Sequence, residues 1–231
     1  FDSPISGSTV RYTHTSYGLG FRVTVEMWED DLYDIMKKAS KDLAGANAET
    51  IETQFWDIFN NPSDATKYAG FDGLAIASTA HTLLGGGTYA NRPSTDVQLS
   101  VSGLQAAVES FEKMVNERNR KILAKPWRLL IPVELKWAAR EILGSAYKPY
   151  VANNEINSLL DEELNFFVTH YATDTNNWAL IGRKHDMKFF WRSKPRFENA
   201  DDFSTGDAMF KTFMRFAQGF GSWRETYWSL P

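Results

Sequence analysis

The sequence predicts an α+β fold, and three observations support this prediction. A long helical pattern covers residues 24–60, and several short apolar segments that are typical of strands follow from residue 127 onward. Helices and strands do not alternate regularly along the chain. Because a doubly wound parallel sheet requires that alternation, we expect helices and strands to be segregated instead.

The helical pattern at 24–60 is the stretch around which the fold is expected to be organised. Its apolar residues recur mostly at steps of three or four, which places them on one face of a helix. Thr24 is expected to cap the amino end, and Pro62 to end the helix, because proline cannot continue it. A break at 45–48, close to Gly45, remains an alternative. The apolar residues are Trp28, Leu32, Ile35, Met36, Ala39, Leu43, Ala46, Ile51, Phe55, Ile58 and Phe59.

The other elements are predicted from local patterns, and the tail at 207–229 is interpreted as strand although it mixes two periods. An extended arm at 1–16 and a strand at 17–25 precede the long helix. After it we expect a strand at 74–77 and an irregular loop at 85–93. The next helix is expected to begin with a capping box at Ser102 and Gln105 and to bury Leu104, Val108, Phe111 and Val115. A buried strand at 127–133, a helix at 134–143, and strands at 164–171, 178–181 and 187–192 are expected to follow.

Composition excludes several classes of protein. A chain of 231 residues is long enough for one large domain or two small ones, and its net charge of −4 gives no global attraction to nucleic acid or anionic membrane. The absence of cysteine excludes disulfides and thiolate chemistry. No apolar run is long enough to span a membrane, and no signal peptide is visible. Since the chain starts at Phe1 and not at Met, we expect a processed or truncated product.

Three residues that lie close in sequence have the side chains of a nucleophilic triad: Asp72, Ser78 and His81. No Gly-x-Ser-x-Gly elbow surrounds Ser78, and a triad is defined by geometry and not by spacing. We therefore interpret them as a turn aspartate, a packing serine and a hydrogen-bonded loop histidine. A hydrolase that uses Ser78 and His81 is kept as the alternative.

No metal, cofactor or phosphate site is predicted. The four histidines, His14, His81, His170 and His185, lack the spacing of a zinc site. The glycines at 85–87 lack the Gly-Lys-Ser/Thr ending of a phosphate loop. Acidic runs at 161–163 and 201–202 are interpreted as solvated. We therefore predict no catalytic residue, no cofactor and no metal, and expect that the protein is not an enzyme.

A basic strip at 183–196 allows two interpretations. Alternating cations and aromatic rings are typical of a surface that binds single-stranded nucleic acid. They are equally typical of a strand that buries one face and pairs its charged face with a neighbouring subunit, which we favour because the chain is acidic overall. The residues are Arg183, Lys184, His185, Lys188, Arg192, Lys194 and Arg196, with Phe189, Phe190 and Trp191 among them.

Taken together and in order, several segments resemble the major capsid (coat) proteins of tailed bacteriophages. Each segment alone is weakly specific, but their shared order covers nearly the whole chain. The segments are YGLGFRVTVEMWEDD (17–31), FDGLAIASTAH (71–81), GGGTYANR (85–92), LSVSGLQAA (99–107), PVELKWAAREIL (132–143), NNEIN (153–157), YATDTNNW (171–178) and RFAQGFGSWR (215–224).

The resemblance implies a fold of the HK-ninety-seven type. That fold has a peripheral domain with a long spine helix and a sheet, an axial domain, and an extended loop. Residues 1–20 would form the returning leg of the extended loop, 21–62 the peripheral domain with its spine helix, 63–184 mainly the axial domain, and 185–231 strands that return to the peripheral domain.

The resemblance also implies a function. The chain would be a structural major capsid protein that self-assembles, through hexamers and pentamers, into the icosahedral head shell around double-stranded DNA. Portal and scaffolding proteins would be further partners, membranes would not, and assembly would take place in the bacterial cytoplasm to give the virion head. As residues that a neighbour would bury, we expect Trp223, Arg224, Tyr227 and Trp228.

Overall fold

The computed structural model describes residues 9–30, 35–149 and 155–231, and the chain divides into two compact units. The larger unit contains Trp56–Met187 and Gly219–Pro231, with the described part of Phe1–Val10. The smaller unit contains Arg11–Phe55 and Lys188–Gln218. Within the described ranges, no helix combines the length and apolar character that a membrane crossing requires.

The regular elements confirm an α+β composition. Short 3₁₀ helices lie at Val133–Leu135 and Ser158–Glu162. In chain order the other elements are β1 (Thr15–Val23), α1 (Val25–Glu29), α2 (Ile35–Asn60), β2 (His81–Thr82), β3 (Thr88–Tyr89), α3 (Val101–Glu112), β4 (Pro126–Pro132), α4 (Lys136–Gly144), β5 (Asn165–Thr169), β6 (Trp178–Gly182), β7 (Met187–Asp201), β8 (Ala208–Phe220) and β9 (Thr226–Ser229).

The predicted long helix is present as α1 and α2. Thr24 caps α1 as expected, since its hydroxyl accepts a hydrogen bond from the Met27 amide at 3.4 Å. α2 continues as helix through Gly45, so the alternative break at 45–48 does not occur, and it ends at Asn60 just before Pro62. The expectation of one continuous helix from 24 onward also involves residues 31–34, which lie outside the described residues.

The smaller unit is built on a three-stranded sheet with β8 between β1 and β7. β1 is antiparallel to β8, with a register that runs from Thr15 opposite Phe216 to Val23 opposite Ala208. One face of this sheet, which we call the aromatic face, carries stacked rings. Their centroid distances are 4.7 Å for Tyr17–Phe216, 5.0 Å for Phe21–Phe210 and 4.9 Å for Phe189–Phe216.

The larger unit contains a four-stranded sheet in the order β5-β4-β6-β9. β4 is parallel to β5, whereas β4–β6 and β6–β9 are antiparallel. Alternate residues of β4 and β6 belong to two different apolar clusters, because successive side chains of a strand point to opposite faces. One cluster includes Phe111 of α3 and Leu129, and the other includes Phe59 of α2 and Leu130. Both faces of this sheet are therefore buried, which explains the continuous apolar run in β4.

The helix α3 begins two residues earlier than predicted. Its cap is Ser100, whose hydroxyl accepts a hydrogen bond from the Gly103 amide at 3.1 Å, so the capping box at Ser102 is wrong. The predicted buried residues Leu104, Val108 and Phe111 do face the core. Val115 does not, because α3 ends at Glu112.

The strand predicted at 74–77 is a buried loop. Ile76 is almost fully buried, but its carbonyl oxygen accepts a hydrogen bond from the Asn91 side chain at 2.6 Å, and the Ala77 amide donates to the Pro62 carbonyl at 2.8 Å. Backbone groups here are satisfied without a neighbouring strand, so an apolar segment becomes core without joining a sheet. The glycines at 85–87 form the turn between β2 and β3, where Gly86 and Gly87 have φ angles of +90° and +86°.

The strands from residue 187 onward are longer than predicted, and the interpretation of the tail as strand is confirmed. β7 extends to Asp201, and β8 and β9 occupy most of 207–229. β9 pairs with β6 in the larger unit. The segment Gly219–Pro231 therefore belongs with Trp56–Met187, which differs from the expected grouping of 185–231.

Two serine substitutions test which residue caps α3. Ser100→Ala should lower the free energy of unfolding by about 1 kcal/mol, because it leaves an amide of the first turn without its acceptor. Ser102→Ala, in the same turn, is the matched control and should change it by less than about 0.5 kcal/mol. Urea unfolding followed by circular dichroism measures both free energies. A larger effect of Ser102→Ala would support the predicted capping box at Ser102 instead.

Candidate functional site

His81 lies at the centre of a buried polar cluster in the larger unit. Its side chain is 0% exposed, and its Nδ1 lies 2.6 Å from Oδ2 of Asp72. Its Nε2 lies 3.0 Å from Oδ1 of Asn91. The imidazole stacks on Trp223, with 4.4 Å between the ring centroids. Both ring nitrogens and one ring face are thus occupied by the protein itself.

The hydrogen bonds around the cluster show which of its polar atoms donate and which accept. The Ser78 amide donates to Oδ1 of Asn91 at 3.0 Å, so this oxygen is an acceptor. The Leu74 amide donates to Oδ1 of Asp72 at 3.2 Å. Because Oδ1 of Asn91 is an acceptor, Nε2 of His81 donates to it, and Nδ1 shares a hydrogen bond with Oδ2 of Asp72.

This geometry does not form a nucleophile and base. The hydroxyl of Ser78 accepts a hydrogen bond from the Ala80 amide at 3.2 Å, and the Nε2 of His81 that would take its proton is engaged by Asn91. A nucleophile and its base must lie within hydrogen-bond reach of each other. The structure brings Asp72 and His81 together but leaves Ser78 apart, so it does not support the hydrolase alternative.

Of the four tail residues that were expected at a contact with a neighbour, the three aromatic ones are core residues and Arg224 is half-buried. Trp223 is 0% exposed, and Tyr227 and Trp228 are also buried in the larger unit. Burial raises the pKa of the Tyr227 hydroxyl to about 12, and the nearby Asp96 acts in the same direction. The prediction was wrong because core aromatics and contact aromatics look alike in a sequence.

Arg224 is held by the unit's own residues in the same way. Its Nε donates to the Val115 carbonyl at 2.8 Å, and its Nη1 donates to Glu117 at 2.6 Å. The guanidinium lies over the Trp223 ring, 4.7 Å from the centroid. Arg224 therefore links the segment before β9 to Val115 and Glu117, which follow α3.

The basic strip at 183–196 is divided between the two units, and its first three residues belong to the larger unit. Arg183 lies over the ring of Trp127 at 5.6 Å. Burial lowers the pKa of the His185 imidazole, although Glu225 and Asp186 partly offset this effect. His185 is therefore mostly neutral at pH 7 and adds little positive charge to the strip.

The rest of the strip lies on β7, where cations and most of the aromatic rings are on opposite faces. Phe189 and Trp191 both pack on Phe216, with centroid distances of 4.9 and 5.5 Å. A surface for single-stranded nucleic acid needs rings available beside the cations so that bases can stack on them. Because these two rings are engaged on the aromatic face, the structure does not support that alternative.

Exposed apolar side chains on the larger unit form candidate contact surfaces that the sequence patterns did not reveal. Trp137 on α4 is 64% exposed, Ile156 is 78% exposed and Leu123 is 98% exposed. Nζ of Lys136 lies 5.4 Å from the centre of the Trp137 ring. Large apolar side chains on a surface often mark contacts between proteins. In the sequence, the spacing of Trp137 within a helical pattern resembles that of a core residue.

Within the described part of the chain, no group of three or more His, Asp or Glu side chains could hold a metal ion. The acidic run at 161–163 is exposed, as predicted.

Comparisons with known proteins agree on one family and one fold. The family model described as phage capsid protein matches residues 7–229. The solved structures that resemble the chain include one from Mycobacterium phage Patience, with a TM-score of 0.60 and 11% identity over 99% of this chain and 76% of that chain. The capsid of the native GTA particle gives a TM-score of 0.59 and 11% identity over 94% and 72%. The capsid of Myoviridae phage XM1 gives 0.54 and 12% over 94% and 73%.

Comparison with curated proteins returns no match. The structural likenesses confirm the predicted fold of the HK-ninety-seven type, and the family match confirms the resemblance found in the sequence.

Replacing His81 tests whether the polar cluster is structural. His81→Ala should lower the free energy of unfolding by about 3–5 kcal/mol, because it leaves the Asp72 carboxylate buried without its partner. Ser78→Ala is the control from the same loop and should cost less than about 1 kcal/mol, since it removes one weak hydrogen bond. Urea unfolding followed by tryptophan fluorescence measures both, and equal effects would contradict a cluster centred on His81.

Proposed function

The chain belongs to the phage capsid protein family, and on this premise we propose that it is the major capsid subunit of a tailed phage or prophage. Its role is structural: copies of the chain assemble into the icosahedral head shell that encloses double-stranded DNA. The observation that carries this proposal is the extent of the family match, which covers 7–229 of 231 residues. Membership of the family supports a location in the virion head, with assembly in the bacterial cytoplasm.

We assign the two units to the two domains of this fold. The smaller unit, with most of the 26-residue α2 and the three-stranded sheet, is the peripheral domain. The larger unit is the axial domain, with Trp56–Met187 and Gly219–Pro231 as its main segments. Residues 9–14 are part of the returning leg of the extended loop. From Thr15 onward the chain pairs with β8 and is part of the peripheral sheet.

The main partner of the chain is itself, in hexamers and pentamers. The exposed side chains of Trp137 and Ile156 support this proposal, because burial of aromatic and apolar groups dominates the energy of protein contacts. Each subunit of a closed shell makes several such contacts, so individually weak ones suffice. Portal and scaffolding proteins are the further partners. The net charge of −4 favours a weak, non-specific contact with packaged DNA.

Electron microscopy of the full-length gene product tests this function directly. The protein should be expressed alone and together with the products of neighbouring genes, because scaffolding can be a separate protein. Closed shells of uniform diameter are the expected result. A small monodisperse particle under all assembly conditions would overturn the proposal.

Trp137 provides a test at the level of a single contact. Trp137→Ala should reduce the yield of closed shells by about tenfold or more, the size of effect that loss of a buried aromatic at a contact produces. The melting temperature of the unassembled subunit should stay nearly unchanged, because the ring is mostly exposed there. Glu112→Ala, on the exposed face of α3, is the control. Wild-type shell yield in both variants would exclude Trp137 from the contacts.

A further inference from the structure

One end of the four-stranded sheet in the larger unit carries a cluster of cations around a single tryptophan ring. The cluster lies where β4 begins and β6 ends, since Pro126 is paired with Gly182. The guanidinium carbon of Arg128 lies 4.1 Å from the centre of the Trp127 ring, and that of Arg183 lies 5.6 Å from it. We call this the tryptophan–cation cluster. Its members are Lys125, Trp127, Arg128, Arg183 and Lys184.

A β-bulge in β4 gives this cluster its geometry. Pro126 is opposite Gly182 and Arg128 is opposite Ile181, so Trp127 is an extra residue without a partner in β6. In a regular strand, consecutive side chains point to opposite faces. A bulge re-aims one of them, and here it allows the consecutive residues Trp127 and Arg128 to lie in contact. Because bulges are over-represented beside functional sites, this one marks the cluster as a candidate site.

The four cations of the cluster form no ion pair within the described part of the chain. Three of them are exposed, and Arg128 is half-buried. Two acids lie at this end of the larger unit, and both accept hydrogen bonds from backbone amides: Glu225 from Lys184 at 2.6 Å, and Asp186 from Ser222 at 3.0 Å. The cluster is therefore a local excess of positive charge on a chain whose net charge is −4.

The side chains of the cluster indicate what kind of ligand fits. Two guanidinium groups that meet at one ring repel each other, and a bound anion relieves that repulsion. Arginine holds phosphate oxygens through paired N–H donors, and lysine adds a point charge. The stacking of Arg128 and Arg183 on Trp127 restrains both side chains, so they lose less conformational entropy on binding. The contact core of a protein partner would instead need free aromatic or aliphatic area, and here guanidinium groups already lie over the ring.

We infer that the tryptophan–cation cluster binds phosphate groups of the double-stranded DNA backbone. The inference rests on the proposed function, which places the chain in a shell around DNA, and it names the residues of that contact. Duplex DNA carries one negative charge per about 1.7 Å of its axis, so a restrained group of cations meets several phosphates without reading the base sequence. Unlike a surface for single strands, this contact needs no free ring on which bases stack. The acidic net charge keeps each contact weak, and many copies around one DNA molecule add up.

The salt dependence of DNA binding tests this contact. Fluorescence anisotropy of a short fluorescein-labelled duplex is measured with the full-length, unassembled subunit between about 50 and 200 mM salt. A plot of the logarithm of the association constant against that of the salt concentration should have a slope of about −3 to −4, since each neutralised phosphate contributes about −0.9. Arg128→Gln combined with Arg183→Gln should weaken binding at about 50 mM salt by about tenfold or more and make the slope shallower by about 2.

Two further double variants complete the test. Arg192→Gln combined with Lys194→Gln removes the same charge from exposed positions of the smaller unit, and as the matched control it should change the affinity by less than about threefold. Lys125→Gln combined with Lys184→Gln alters only exposed members of the cluster and should also make the slope shallower by about 2. The lysine variant decides the test if circular dichroism shows that the arginine variant does not fold.

Competitors and shell assembly separate the remaining outcomes. Release of the duplex by inorganic phosphate at an equal phosphate concentration would assign the cluster to free phosphate, and tighter binding of poly-glutamate than of the duplex would assign it to an acidic protein. Either result would overturn the contact with DNA. Wild-type DNA affinity of both cluster variants, or an equal loss in the control, together with normal shells, would overturn the inference and leave the proposed function intact. Failure of the wild-type protein to form shells would overturn the proposed function itself.

Discussion

One buried amide holds together the part of the larger unit that has the least regular structure. Between α2 and α3 the only strands in the described chain are β2 and β3, of two residues each. Asn91 connects this region internally, since its side chain accepts from the Ser78 amide at 3.0 Å and donates to the Ile76 carbonyl at 2.6 Å. It also reaches the last strand, because its carbonyl accepts from the Trp228 amide at 2.9 Å. Buried backbone groups need partners, and here one side chain replaces a sheet neighbour.

Periodic patterns predicted the elements whose side chains repeat, and missed what depends on single residues. The spacing of apolar residues predicted α2 and the buried face of α3, because a helix repeats its environment every three to four residues. The role of Asn91 is invisible in the sequence, since asparagine before Arg92 and Pro93 reads as an ordinary turn. The same limit explains the misplaced cap of α3, where Ser100 and Ser102 are chemically equivalent and only backbone geometry distinguishes them.

The chemistry of the candidate site was predictable only in part. His81 is hydrogen-bonded as predicted, although it lies in the short strand β2 and not in a loop. Its contact with Asp72 is local in sequence, whereas its stacking on the distant Trp223 depends on the fold. The opposite error occurred for Trp223 and Trp228, which were expected at a surface. Trp228 is core because β9 joins the sheet beside β6, and Trp223 is core because it stacks on the buried His81.

The two sheets show how the pattern of a strand indicates which of its faces are buried. β4 and β6 are apolar at successive positions because helices and loops fill both faces of their sheet, which leaves neither face for another protein. β7 alternates cations with aromatic rings because only one face of its sheet is filled. The other face carries charged side chains that water solvates, so the alternation along β7 records which face of its sheet is buried.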